Sequence, residues 1–200
     1  MGLLTSGVAL LNLPKAQAEE SLQAKVDQAM LQEVSMEIPQ PVIDLRRAII
    51  GQESGGKFQA VNPYSGALGY GQVMPENVGP WSKEALGYSV STTQFLNDPA
   101  LQLKIIDFKL KQYWQAAIAD AKGDEVIAVR RVASHWYSGK PYRYSSTRAQ
   151  YYGGHRYPSI AEYTLEVLAR YQKEQQYMLQ ASTNLRNSLP LEAPLVPGMN

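Results

Sequence analysis

The sequence predicts an all-α, mostly helical fold, built as one domain with tails. Apolar residues recur every three or four positions in successive segments between residues 40 and 178, which is the spacing of one buried helix face. Proline, or Asp and Ser at capping positions, opens these segments, and glycine or proline separates them. A chain of 200 residues is long enough to bury a core of this kind.

The composition narrows the classes of function. A net charge of +1 argues against a nucleic-acid-binding surface, so we expect no nucleic-acid partner. The absence of cysteine excludes a disulfide scaffold and a thiolate zinc site. With only two histidines we expect no metal site. We also expect no cofactor. Thirteen tyrosines against three phenylalanines suit a sugar-binding surface as well as half-buried packing.

Residues 1–18 predict a secretory signal segment. A short apolar core precedes Ala16-Gln17-Ala18, which is a small-x-small cleavage site. The core consists of Leu3, Leu4, Val8, Ala9, Leu10 and Leu11. The alternative is an ordinary amphipathic helix, because no basic residue precedes the apolar run. The signal interpretation predicts a periplasmic or secreted protein, and the lack of any run of about 20 apolar residues predicts no permanent membrane span.

Residues 19–39 predict an amphipathic helix and a linker. Its apolar face consists of Leu22, Val26, Ala29 and Met30. Pro39-Gln40-Pro41 then breaks this helix and starts the next one. The buried stripe of the next helix consists of Val42, Leu45 and Ile49.

Glu53 lies four residues beyond Ile49, at the end of that stripe. Partial desolvation there disfavours the charged carboxylate, and the negative end of the helix dipole opposes the charge as well. Both effects raise the pKa of the carboxyl, as a general acid near neutral pH requires. The alternative is a solvated glutamate in the last turn of the helix.

The loop after Glu53 carries a recognisable pattern. It contains Ser65-Gly66-Ala67-Leu68-Gly69-Tyr70-Gly71-Gln72-Val73-Met74-Pro75. Together with Glu53-Ser54, this loop resembles the soluble lytic transglycosylase family, the goose-type-lysozyme-like enzymes that cleave peptidoglycan. That family has Glu-Ser, then Ser-x-x-Gly-Leu-Met-Gln, then Met-Pro. Tyr70-Gly71 replaces the Leu-Met pair, whereas Gly69, Gln72 and Met74-Pro75 match.

The resemblance extends over roughly residues 40–175 and implies a lysozyme-like transglycosylase domain, which we assign to residues 40–178. It implies that Glu53 is catalytic and that Ser54 holds it by a hydrogen bond. The substrate-binding residues that it implies in this loop are Gly69, Tyr70, Gln72 and Met74. Gly69 and Gly71 would let the backbone approach the substrate.

Other carboxylates follow the loop. A short helix is predicted from Glu76, with an interruption at Gly79-Pro80 and one more turn to Leu86. We interpret Glu76 and Glu84 as solvated, although a two-carboxylate glycosidase would need one of them, or Asp98, opposite Glu53.

Asp98-Pro99 predicts the N-cap and first position of the next helix, so we assign Asp98 to capping. Gly123 ends the following segment, and Asp124 or Glu125 opens another helix. The apolar positions of these two helices are Leu101, Ile105, Phe108, Trp114, Val126, Val129 and Ala133.

The second of these helices leads into Ala133-Ser134-His135-Trp136-Tyr137-Ser138-Gly139, which partly resembles the family's Ala-Tyr-Asn-x-Gly motif. The match implies that Tyr137 hydrogen-bonds Glu53 and supports catalysis. Ser138 takes the substrate-contacting position at which the family has Asn. We interpret Trp136 as a core aromatic residue and His135 as a residue with a local hydrogen bond.

Residues 140–158 predict a loop without any acidic residue. It contains Lys140, Arg143, Arg148, His155, Arg156 and the tyrosines 142, 144, 151, 152 and 157. Such a loop fits stacking on nucleotide bases, or a glycan groove in which Arg meets the carboxylates of stem peptides. The rest of the chain favours the glycan groove.

Ser159-Ile160-Ala161-Glu162 is a capping box and predicts the final helix. Its buried stripe consists of Ile160, Tyr163, Val167 and Tyr171. The resemblance implies that Tyr163 faces the substrate cleft, and the alternative is a core tyrosine. Residues 179–200 predict a flexible tail.

The resemblance implies a peptidoglycan lytic transglycosylase. Such an enzyme cleaves the β-1,4 bond between N-acetylmuramic acid and N-acetylglucosamine and leaves a 1,6-anhydromuramoyl product, with Glu53 as general acid and then base. Two alternatives stay open: a muramidase of lysozyme type, and a catalytically weak peptidoglycan-binding protein of a secretion or conjugation system. The expected partners are glycan strands and cell-envelope machinery.

Overall fold

A computed structural model of the chain describes residues 38–188. The predicted signal segment (1–18), most of the amphipathic segment (19–37) and the end of the predicted tail (189–200) lie outside the described residues. The described part is mostly helical. Its helices are α1 (Gln40–Glu53), α2 (Pro75–Leu86), α3 (Thr92–Asn97), α4 (Pro99–Asp120), α5 (Glu125–Ser138) and α6 (Ile160–Ser188).

The core lies where the long helices meet. Helix α6 packs against α1 and α5, and α4 packs against α1, α2 and α5. The predicted stripes of α1 and α6 are confirmed: their buried residues include Val42, Leu45, Ile49, Ile160, Tyr163, Val167 and Tyr171. In α5, Val129 and Ala133 are buried as predicted, but Val126 is exposed.

Three predicted helix starts are confirmed, and each has the side-chain capping hydrogen bond that its sequence predicts. The Asp98 carboxylate accepts from the Leu101 amide (2.9 Å), and the Asp124 carboxylate caps α5. Before α6, the amide of Ser159 donates to the Glu162 carboxylate (2.7 Å) and the Glu162 amide donates to the Ser159 hydroxyl (3.2 Å). Each cap supplies partners for backbone groups that the first helical turn leaves without one.

The predicted interruption at Gly79-Pro80 is wrong, because α2 runs through both residues without a break. A proline in the second turn removes only one intrahelical hydrogen bond. Packing holds the helix together beyond that point, since Val78 and Ser82 are both buried. The Ser82 hydroxyl donates to the Gly79 carbonyl (2.9 Å) and accepts from the Val90 amide (2.9 Å), which fixes the segment after the helix.

Two further boundaries differ from the prediction. Residues 140–158 are not only loop: they contain a 3₁₀ turn at Pro141–Arg143 and an antiparallel hairpin of β1 (Gln150–Tyr152) and β2 (His155–Tyr157). A turn of two glycines with positive φ joins these strands, which is a favoured hairpin connection. Helix α6 continues to Ser188, ten residues beyond the predicted end of the domain at residue 178, and the first helix-breaking residue after it is Pro190.

None of the helices within residues 38–188 combines the length and the apolarity that crossing a membrane requires.

Candidate functional site

Glu53, the last residue of α1, lines a cleft with a volume of about 880 Å³. The cleft lies between the loop that follows α1, the end of α5, the hairpin and the start of α6. Six of the nine predicted site residues line it: Glu53, Gln72, Met74, Tyr137, Ser138 and Tyr163. Ser54, Gly69 and Tyr70 are not among the lining residues.

The Glu53 carboxyl is a half-buried group with one strong partner. The Tyr163 hydroxyl donates a hydrogen bond of 2.5 Å to Glu53 Oε1. Burial raises the pKa of Glu53 from 4.5 to about 7, and the hydrogen bond from Tyr163 opposes part of this rise. The direction agrees with the expectation from the sequence. Near neutral pH, the carboxyl therefore exists in both its protonated and its ionised form.

The predicted hydrogen bond from Tyr137 to Glu53 is wrong. Tyr137 donates instead to the Pro158 carbonyl (2.9 Å), and Tyr163, one helix further on, takes the place against Glu53. The two phenol rings stack almost in parallel, with centroids 4.2 Å apart and planes 9° apart. Tyr137 thus supports Tyr163 through its ring. Tyr163 is both a core tyrosine and a residue of the cleft, because it is buried and its hydroxyl reaches the Glu53 carboxyl.

Both phenols stay protonated at neutral pH. Burial and the neighbouring Glu53 charge raise the pKa of Tyr137 to about 12. The same two causes, with the hydrogen bond to Glu53, raise the pKa of Tyr163 well above its usual value. Tyr163 is consequently a permanent hydrogen-bond donor to the carboxyl, whichever protonation state Glu53 has.

Ser54 does not hold the Glu53 carboxyl, contrary to the prediction. Its hydroxyl donates to the Tyr70 carbonyl (2.8 Å) and contacts the Ile50 carbonyl (3.4 Å). A hydroxyl directly after the last helical residue lies closer to the free carbonyls of the helix end than to a side chain that points into the cleft. Ser54 therefore connects the end of α1 to the loop.

Gln72 has an unusual backbone conformation at the cleft. Its φ of +48° lies in the left-handed region, which non-glycine residues rarely adopt and which is common at functional sites. The side-chain amide donates to the Gly69 carbonyl (3.1 Å), and the paired amides of Leu68 and Val73 hold the turn around it. Gln72 both lines the cleft and stabilises its own turn.

Gly69 and Gly71 approach protein groups rather than a substrate, which corrects the predicted reason for these glycines. A Cβ on Gly69 would lie 2.2 Å from the side-chain oxygen of Gln102, and one on Gly71 would lie 2.7 Å from the Trp136 ring. Tyr70 turns away from the cleft and packs its ring against Phe58, with centroids 6.1 Å apart.

Gln102 is a residue that the sequence analysis missed. It is fully buried on α4, accepts from the Tyr70 amide (2.8 Å), and donates to the carbonyls of Phe58 (2.8 Å) and Phe95 (3.0 Å). Both N–H groups and the oxygen of its side-chain amide are thus bonded, to three different backbone segments. The only signal in the sequence is a polar residue on an apolar helix face, which is a weak one.

Trp136 combines the core position that we favoured with a place in the cleft wall. Its ring packs near Trp81, with centroids 5.4 Å apart, and its indole N–H donates to the Gly71 carbonyl (3.0 Å). Ser138 lines the cleft, but its hydroxyl donates to the Ser134 carbonyl (2.7 Å) at the end of α5. Ser138 is therefore occupied within its own helix.

Glu53 is the only carboxylate among the described residues that line the cleft. Glu84 pairs with Lys109 (2.9 Å), Glu76 is exposed on α2, and Asp98 caps α4. Within residues 38–188, no group of three or more His, Cys, Asp or Glu side chains is arranged to hold a metal ion.

The wall opposite the loop is basic and aromatic. Lys140, Arg143 and Arg148 line the cleft, and none of the three is in the ion pairs formed among residues 38–188. Tyr151, Tyr152 and Tyr157 line it as well. The Tyr157 hydroxyl is buried and has no hydrogen-bond partner among the described groups, which leaves it ready to bind a polar ligand group.

Comparison of the chain with protein-family models, with curated proteins and with solved structures found no match.

Proposed function

We propose that this chain has a lysozyme-like fold and is a peptidoglycan lytic transglycosylase. The observation that carries the proposal is the state of Glu53, a carboxyl at the wall of a large cleft with a pKa of about 7 and a tyrosine donor at 2.5 Å. An acid that must give up a proton and then take one back works best when its pKa lies near the ambient pH. The loop pattern that resembles the family ends in this same cleft.

The proposed reaction uses one carboxyl twice. Protonated Glu53 gives its proton to the glycosidic oxygen, the bond from that oxygen to C1 of the muramoyl unit breaks, and the N-acetyl oxygen of this unit binds C1. Ionised Glu53 then takes the proton of the C6 hydroxyl, and O6 replaces the N-acetyl oxygen at C1. This route needs no second carboxylate, in agreement with a cleft lined by Glu53 alone among the described acids.

The remaining groups of the cleft suit a glycan strand with peptide stems. The tyrosines of the hairpin offer flat faces for sugar rings, and the free Tyr157 hydroxyl suits a sugar hydroxyl. Lys140, Arg143 and Arg148 suit the carboxylates of stem peptides. The proposed setting is the periplasm or the cell exterior, where glycan strands and the cell-envelope machinery lie.

The test is release of soluble muropeptides from purified peptidoglycan by the wild-type chain, Glu53→Gln and Glu76→Gln. We expect Glu53→Gln to release material at least about a hundredfold more slowly, because it lacks the acid and base. Glu76→Gln is the matched control, since this glutamate is exposed outside the cleft, and it should release material at the wild-type rate. Equal rates for wild type and Glu53→Gln would contradict the proposal.

The same experiment separates the alternative functions. A muramidase that uses Glu76 as its second carboxylate would lose activity in Glu76→Gln. A peptidoglycan-binding protein without activity would release nothing but would still sediment with the wall. The positions that motivate this last alternative are Ser138 and Tyr70-Gly71, where the chain departs from the family pattern.

A further inference from the structure

We infer that a contact between Tyr64 and His155 bridges the two walls of the cleft and directs the protein to the ends of glycan strands. The inference rests on the proposed function for the identity of the strand. The bridge itself joins the loop after α1 to the turn of the hairpin, two segments that are about ninety residues apart in the chain.

Two independent contacts form the bridge. The rings of Tyr64 and His155 pack with their centroids 3.5 Å apart. The backbone of Gly153, in the turn of the hairpin, comes so close to Tyr64 that a Cβ added there would lie 3.1 Å from the Tyr64 carbonyl oxygen. Side chain and backbone therefore meet at the same point.

The loop side of the bridge is braced. The Asn62 side-chain oxygen accepts hydrogen bonds from the amides of Tyr64 (2.9 Å) and Ser65 (3.0 Å), and the Asn62 amide donates to the Ala67 carbonyl (2.8 Å). An Asx turn of this kind fixes the direction in which Tyr64 projects. The turn thus holds Tyr64 in place on the loop side of the contact.

Both bridged segments also line the cleft. Asn62 and Ser65 lie in one wall, and Tyr151 and Tyr152 lie in the other. Tyr64 and His155 are both exposed and are not themselves lining residues, so the bridge joins the two walls at the rim of the cleft, and a long strand must stop at it or pass beneath it. A strand that stops there presents only its terminal sugars to Glu53, and a strand that passes beneath must be threaded from an end. Either geometry selects strand ends as long as the bridge is closed.

The test measures the length of products from long, peptide-bearing glycan strands while only a small part of the bonds is cut. Wild type should release mainly disaccharide units and leave the remaining strands long. Tyr64→Ala and His155→Ala each remove one ring of the bridge and should shift the products toward fragments of intermediate length. Tyr88→Ala is the matched control, because Tyr88 is similarly exposed (60% against 56% for Tyr64) and lies on neither of the two segments that form the bridge. Intermediate fragments from wild type, in the same proportion as from His155→Ala, would overturn the inference.

A cross-link supplies a second test that does not depend on loss of side chains. The chain has no cysteine, so Tyr64→Cys combined with His155→Cys offers a bis-maleimide reagent only these two thiols. We expect the cross-linked protein to keep releasing disaccharides and to make fewer internal cuts than the same protein before cross-linking. Unchanged internal cutting after complete cross-linking would contradict the bridge as a selector of ends.

Binding separates failure of the bridge from failure of the proposed function. If wild type cleaves nothing, the reaction is refuted, and the bridge is tested by binding to the cross-linked protein. Short released strands should then bind at least about tenfold more tightly than strands held in intact sacculi. Equal binding of both substrates would refute the selection of ends on its own.

Discussion

Glu53 and Tyr163 lie 110 positions apart in the chain and share one short hydrogen bond. Burial makes the ionised carboxylate unfavourable and raises the pKa of Glu53. The phenol donor makes the ionised form more favourable and lowers this pKa. The first effect prevails, because the pKa ends at about 7 and not below 4.5. These two residues therefore supply what the proposed chemistry needs, a carboxyl with a pKa near neutrality and a hydrogen-bond donor to it. Each of the two can be changed by one substitution.

Tyr163→Phe removes the donor that favours the ionised form of Glu53. We expect the pKa of Glu53 to rise above its present value and the limb of the pH profile for kcat/KM that reports the acid to move to higher pH. The rate should fall by about tenfold, since a hydrogen bond to a charged group contributes about 1.5 kcal/mol. Tyr137→Phe is the control: its hydroxyl bonds the Pro158 carbonyl, so the pH profile should stay in place. A profile that moves equally in both variants would contradict the assignment of Tyr163.

Glu53→Gln should change stability in a pH-dependent way. The folded-state pKa of about 7 lies above the unfolded value of 4.5, so the folded state binds the proton more tightly, and stability falls as the pH rises from about 4.5 to about 7. Above that window, the ionised carboxylate costs up to about 3 kcal/mol. We expect Glu53→Gln to unfold at higher urea than wild type at pH 8, and to show no such gain at pH 4. Urea titrations at both pH values check this, and an identical difference at the two pH values would contradict the raised pKa.

At the scale of elements, the site is a junction of three helix ends and one loop. The end of α1 supplies Glu53, the end of α5 supplies Tyr137, and the start of α6 supplies Tyr163. Periodicity and capping residues predicted these helices, because such signals are local in the sequence. Which tyrosine reaches Glu53 depends on the packing of α6 against α1, which no local signal encodes, and the prediction for Tyr137 failed for that reason.

Gly71 and Gly79 form a matched pair that tests the packing of the loop on α5. A Cβ on Gly71 would press on the Trp136 ring at 2.7 Å, whereas one on Gly79 in α2 would meet nothing within 4 Å. We expect Gly71→Ala to destabilise the protein by about 1–3 kcal/mol and to lower activity, because Trp136 lines the cleft. Gly79→Ala should stabilise by about 0.5–1 kcal/mol, as alanine in a helix interior does. Urea unfolding of both variants measures this, and equal tolerance at the two positions would contradict the packing described.

At the scale of the whole molecule, charge is distributed unevenly although the net charge is only +1. Three cations and one carboxyl of high pKa line the cleft, so its field favours anionic ligands. The sequence indicated this wall, since residues 140–158 contain no acid. The sequence did not indicate that part of this stretch forms a hairpin. Strands of three residues are too short to show the alternation of apolar and polar residues by which a strand is predicted.

Removal of the cations tests the expected peptide-bearing substrate. Lys140→Ala, Arg143→Ala and Arg148→Ala should each raise KM for strands with peptide stems by up to about fivefold, the range of an exposed ion pair. The effect should shrink at high salt and vanish on strands stripped of their peptides. Lys173→Ala, an exposed cation on α6 outside the cleft, is the control and should leave KM unchanged. Equal effects on stripped and peptide-bearing strands would contradict the assignment of these side chains.

The central claim is that one carboxyl, Glu53, closes a 1,6-anhydro ring without a water molecule. The most direct test is mass spectrometry of muropeptides that the full chain releases from peptidoglycan in H₂¹⁸O, with Glu53→Gln in parallel. We predict products that are one water lighter than hydrolysis products, that carry no ¹⁸O and that are missing with Glu53→Gln. Products with one ¹⁸O at a free reducing end would contradict the claim, because they would mean that water, and not the C6 hydroxyl, attacks C1.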